Sequence, residues 1–261
     1  MASTIVAPPA ARGHSALAQL TITELRLLCR GRNRVGFIVS AGLPLLLLII
    51  FGAIHSFGKP VKAYDGLTTF DMYVPILLVF AMTMLAVLTM PTVLASYREL
   101  GVLRRLKTTP AGPVRVLVAQ LAVKLAAAAV TVIAILAVAR IGYGIAAPRQ
   151  LGGFVVAGLL ATAALMAIGL CIAAVASTGN VARGIGAILF YLMMFFAGLW
   201  LPIPNMPPAL QHISHATPLG AAVPALGNAM LGHWPTGLQL LTLAVYAAAF
   251  GLAATRLFRW E

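Results

Sequence analysis

Long apolar runs alternate with short polar segments from residue 35 to the end of the chain, and six of them, about 35–57, 72–95, 116–139, 151–176, 185–201 and 236–255, approach or exceed bilayer length. A helix needs about 20 predominantly apolar residues to cross a hydrocarbon core. The pattern predicts an all-α membrane protein with six transmembrane helices in a single domain spanning residues 15–261. The segment 202–235, ahead of the last run, is too long and too apolar for a plain loop. Pro202, Pro204, Pro207 and Pro208 forbid one continuous helix there, but Pro207 can open a short helix through Gln211 toward His215. A second short helix is expected from Leu219 to Met230, bent near Pro224. Broken apolar segments persist at membrane depth only when buried in protein or lining a cavity, so these are expected to re-enter the membrane and cap the outer half of a pathway.

Ahead of the first run, residues 1–14 are Ala/Pro-rich without periodicity and read as a disordered cytoplasmic tail. Residues 15–34 change to a helical period, with Leu17, Ile22, Leu25, Leu28 and Cys29 on one side and Gln19, Thr23, Arg26 and Arg30 opposite. Such a helix suits the headgroup layer, and the alternative is a solvated helix packed on another subunit. These first 34 residues lack the continuous apolar core of a cleavable signal, so the first span is expected to be its own insertion signal.

The segment 96–115 between the second and third runs is a basic island, with Arg98, Arg104, Arg105, Lys107 and Arg115 against the single acid Glu99. Leu100, Leu103 and Leu106 recur every third residue and form an apolar ridge on a short helix. Six spans place thirteen Lys/Arg on the side of this island and only Lys59, Lys62, Arg140 and Arg149 on the other. The asymmetry puts the island and both termini in the cytoplasm of a bacterial cell (plasma) membrane. Lys124 is the remaining cation; it lies inside the third run, and its stem is expected to carry the ammonium to the interface. A tight inner turn is expected over residues 177–184, marked by Gly179, Asn180 and Arg183.

Composition narrows the function classes. With 61% hydrophobic and 9% charged residues and a mean hydropathy of +1.00, the chain is no ordinary soluble protein. The net charge of +13 reflects topology and contact with anionic membrane lipid, because the cations cluster at the ends of apolar runs. No aromatic-interleaved basic face points to nucleic acid. Cys29 and Cys171 read as packing residues, and His212, His215 and His233 lack the carboxylates or cysteines of a metal site, so no metal is expected. All five acids, Glu24, Asp65, Asp71, Glu99 and Glu261, fall outside the six runs, which argues against an ion-coupled carrier. A membrane-embedded lipid-modifying enzyme lacks a cluster of acid, base and nucleophile. A structural membrane partner without a pathway stays open.

Two stretches resemble the membrane subunit of type-2 ATP-binding-cassette exporters, whose relatives export drugs, lipids and polysaccharides. The first is Arg98-Glu99-Leu100-Gly101-Val102-Leu103-Arg104-Arg105-Leu106 followed by Thr109-Pro110, similar to the family's R-E-x-G-x-L-x-R-L…T-P inner loop. The second is Phe196, Gly198, Pro202, Pro207, Leu210-Gln211 and Thr217-Pro218-Leu219, similar to the run before the last span. After that Pro-Leu pair many relatives carry an acid and an Arg, whereas Gly220–Gly227 is apolar here.

The resemblance implies a permease that is not an enzyme by itself and binds no cofactor. ATP and Mg belong to a partner ATPase subunit, consistent with the absence of a G-x-x-x-x-G-K-[ST] phosphate loop from this chain. It further implies a second permease chain in a homodimer or heterodimer, and a coupling helix between spans 2 and 3. In that implied arrangement Arg98, Glu99, Arg104 and Arg105 pair with charges on the ATPase, while Leu100 and Leu103 enter its groove and Gly101 lies between them. Pro202, Pro207 and Pro218 belong to an outer gate. Sparse charge and few aromatics in the spans suggest an apolar or amphiphilic cargo, a drug-like molecule or lipid. Met82, Met84, Met193 and Met194, with Phe195 and Phe196, are the candidate pathway lining; the alternative for the methionines is packing filler.

Overall fold

A computed structural model describes residues 34–58, 68–102 and 112–257. Its elements are helical throughout: α1 (Arg34–Ala53), α2 (Thr69–Glu99), α3 (Gly112–Tyr143), α4 (Leu151–Val175), α5 (Gly179–Phe196), α6 (Pro208–Ala216), α7 (Pro218–Leu231) and α8 (Gly237–Leu257). The expected disordered tail 1–14, nearly all of the interfacial helix 15–34, and Leu103, Arg104 and Arg105 of the expected coupling helix lie outside the described residues.

Among the described residues five helices, α2, α3, α4, α5 and α8, are long and apolar enough to cross a membrane. The expected first span corresponds to the 20-residue helix α1. The long helices run alternately between two ends, one holding Glu99 of α2 and Gly179 of α5, the other holding Thr69 of α2 and Phe196 of α5. The first is called here the island end and the second the far end. Apolar residues face outward as well as inward: Val130 and Ile133 on α3, Ile188 and Leu192 on α5, and Leu241 and Val245 on α8 are exposed. Helices that are apolar all round suit a hydrocarbon solvent.

The most buried of these long helices is α2. It begins with a capping box, in which Thr68 accepts the N–H of Asp71 while the Asp71 carboxylate accepts the Thr68 N–H. Its middle, Met84–Thr89, is π-helical. The hydroxyls of Thr83, Thr89 and Thr92 donate to the carbonyls of Val79, Leu85 and Leu88, each four residues back, a habit that bends helices. Two glycines let neighbouring helices close on this segment. A methyl at Gly169 of α4 would collide with the Ala86 carbonyl, and one at Gly186 of α5 would come within 2.6 Å of the Val87 carbonyl.

Three expectations change. The turn placed at 177–184 is confined to residues 176–178, because Thr178 accepts the Val181 N–H at 3.2 Å and starts α5 at Gly179; Gly179, Asn180 and Arg183 are therefore helical. Lys124 does not carry its ammonium to the surface of the chain: it is 1% exposed and packed inside the protein. The second run extends through residues 96–99 of the island as helix, so Arg98 and Glu99 form the last turn of α2.

Candidate functional site

At the island end, Arg98 and Glu99 reach two different helices. The Arg98 guanidinium donates to the carbonyls of Ala174, at 3.1 Å, and Ala176, at the C-terminal end of α4. The Glu99 carboxylate accepts the N–H of Gly179, the first residue of α5, at 3.0 Å. A helix leaves its last carbonyls and first N–H groups without internal partners and carries partial negative and positive charge at those ends. A cation on the α4 C-terminus and an anion on the α5 N-terminus therefore match in both hydrogen bonding and charge. The close approach also needs Gly179, where a side chain would run into the Ser96 hydroxyl.

This arrangement turns Arg98 and Glu99 onto the chain's own helix ends, rather than leaving both free to meet charges on a partner. Gly101 then ends the helix, with φ of +67° and its N–H on the Arg98 carbonyl at 3.0 Å. Its left-handed conformation favours a residue without Cβ. Leu100, on the ridge expected to dock, is 69% exposed.

At the far end, the expected short helices stand as α6 and α7, with Pro224 inside α7. Several residues of the second motif have a local reason. Gly198, at φ +87°, stops α5, and the Gly198 and Leu199 N–H groups return to the carbonyls of Phe195 and Met194. The Gln211 amide donates to the carbonyls of Met206 at 2.8 Å and Pro204 at 3.2 Å, closing the turn between α5 and α6. Ser214 donates to the Phe196 carbonyl at 2.6 Å, and Thr217 accepts the Gly220 N–H at 3.0 Å as the N-cap of α7, with Pro218 next in the first helical turn. Of the expected gate prolines, Pro202 lines a cavity, Pro207 precedes α6 and Pro218 is buried in the first turn of α7.

That cavity, of about 650 Å³, lies between the start of α2, residues 145–149, residues 202–204 and α7. Asp71, Arg149, Gln211, His215 and Asn228 bring polar groups to a lining that is otherwise mostly apolar. Met82, Met84, Met193 and Met194 are instead buried in the core of the chain, Phe195 and Phe196 are half-buried, and none of the six lines this cavity. His212 is exposed outside it, and among the described residues no group of His, Cys, Asp or Glu could hold a metal ion.

In the sequence Arg149 reads only as a charge and Gly179 only as a turn marker. The Thr178-Gly179 pair is a legible N-cap signal, and the free N–H donor that such a helix start offers an acid is the step it leaves implicit. No comparable signal marks the π segment.

A family model described as "ABC-2 type transporter" matches residues 19–231, which contain both motifs. No match is found among curated proteins.

Proposed function

The chain belongs to the ABC-2 type transporter family, and from that premise we propose that it is the membrane permease subunit of an ATP-driven exporter, working with a separate ATPase subunit and a second permease chain. It is a multi-pass membrane protein of a permease family that is not catalytic by itself. In this reading the island end and both termini face the cytosol of a bacterial cell, the far end faces outward, and ATP and Mg are bound by the partner. The cargo is an apolar or amphiphilic molecule, drug-like or lipid. Outward release past α6 and α7 assigns Pro202, Pro207 and Pro218 to the outer gate.

The observation that carries this reading is the double hold of Arg98 and Glu99 on the ends of α4 and α5. An ATPase gripping the ridge of Leu100 and Leu103 would move α2, α4 and α5 together. ATP can drive such a rearrangement only by favouring one arrangement of the paired ATPases over the other. The Met84–Thr89 π segment, enclosed by Gly169 and Gly186, lies on the same helix between that grip and the outer gate. π-helical turns often occur at functional sites.

The test is co-expression of the tagged chain with candidate ABC ATPase subunits, followed by purification in lipid. A stable complex with cargo-stimulated ATP hydrolysis is expected. Purification of a fully folded chain that neither retains nor stimulates the ATPase would reject the assignment.

A further inference from the structure

The far-end cavity has a chemical asymmetry that docking of an ATPase at the other end does not require. Its volume of about 650 Å³ lies within the roughly 300–1,000 Å³ of small-molecule sites. Pro75 and Ile76 on α2 and Val223 and Pro224 on α7 give it an apolar wall. Most of its polar side chains are already engaged. Asp71 accepts the N–H and hydroxyl of Thr68 at 2.9 and 2.6 Å. Gln211 donates to Met206 and Pro204, and Asn228 donates to Gln239 at 3.4 Å.

Arg149 differs. Its guanidinium has no protein acceptor among the described residues, although its backbone is fixed. The Arg149 N–H meets the Met230 carbonyl at 3.4 Å, the Gln150 N–H meets that of Ala229 at 3.0 Å, and Gly232 leaves room for the Arg149 side-chain stem. His215, exposed on the same cavity, likewise has no hydrogen-bond acceptor among the described residues. An exposed guanidinium fork on a fixed backbone, beside an apolar wall, matches a carboxylate or phosphate attached to an apolar chain.

We infer that this cavity binds a single-chain amphiphile with an anionic head, the head on Arg149 and the chain along Pro75, Ile76 and Val223. The inference deepens the export reading by naming a cargo class. Binding at the far end needs no ATPase, so its failure and the failure of export are separately visible.

The experiment uses the full chain in nanodiscs of neutral phosphatidylcholine, with a diazirine-bearing dodecanoic acid as the photoprobe. Saturable adducts are expected at cavity residues such as Met72, Val223 and Met230. Dodecanoate and dodecyl phosphate should displace them, and dodecyltrimethylammonium should not. Arg149→Glu should reduce saturable labelling at least about tenfold, Arg149→Lys should keep most of it, and Ala146→Trp, at an exposed lining position, should block it. Equal elution profiles establish that the variants are folded. Unsaturable labelling along Ile133 and Leu241, competition by the cationic amphiphile, or undiminished labelling of Arg149→Glu would overturn the site. Displacement by phosphatidylglycerol included in the disc would overturn the single-chain assignment in favour of an anionic bilayer lipid.

Discussion

The carboxylate of Glu99 accepts the backbone N–H of Gly179 at 3.0 Å across 80 residues of chain. The next residue back, Arg98, holds the carbonyls of Ala174 and Ala176 on the other side of the same turn. Two adjacent side chains of opposite charge thereby join three helices at one end of the bundle.

Glu99→Ala should remove one charge-assisted hydrogen bond and its match to the α5 N-terminus, at a cost of about 1 kcal/mol. At this chain length that predicts a Tm lower by about 2–4 °C, together with weaker cargo-stimulated ATP hydrolysis in the assembled complex. Glu99→Gln keeps an acceptor and should fall between alanine and the parent. Thermal melts and hydrolysis assays on the three proteins check this order, and an alanine variant equal to the parent in both would remove Glu99 from the account.

Gly169 offers a sharper stability test. Because a methyl there meets the backbone carbonyl of Ala86, Gly169→Ala should destabilise by about 1–3 kcal/mol. Gly251→Ala is the matched control: its added methyl meets nothing within 4 Å, and the exchange should stabilise α8 by up to about 1 kcal/mol. Melting both variants in the same detergent reads the sign of each change.

The far end depends on its own set of contacts. Gln211→Leu leaves the carbonyls of Met206 and Pro204 without their side-chain donor, and should loosen residues 202–206 while costing about 1 kcal/mol. Faster proteolysis confined to that turn, with ATPase binding intact, is the expected readout. Gly220→Ala, where a methyl would strike the Ser214 carbonyl, should have the larger effect on the melt.

Helix order, the two short helices before α8 and the membrane class were legible because apolar run length and proline position act locally. The start of α5 was missed by several residues, since Gly179 and Asn180 suggest a turn until Thr178 is recognised as the cap. Lys124 was misplaced for a different reason: burial depends on which helices close over α3, and no periodicity within α3 contains that information. The motif around Arg98 was visible as a charged pair, but its partners are backbone groups 76 to 80 residues away, which residue identities do not reveal. Arg149 was legible as a cation and illegible as a cavity residue, because the loop carrying it is aligned by backbone bonds to α7.

The central claim is that the segment beginning at Leu100 is gripped by an ATPase. Leu100 is 69% exposed, so Leu100→Asp leaves the fold intact while placing a charge on the ridge, and Leu103→Asp tests the next ridge position. The deciding measurement is cargo-stimulated ATP hydrolysis by the reconstituted complex carrying either substitution. The account predicts that stimulation is lost while the chain still inserts and melts normally; stimulation at the parent level in both variants would contradict it.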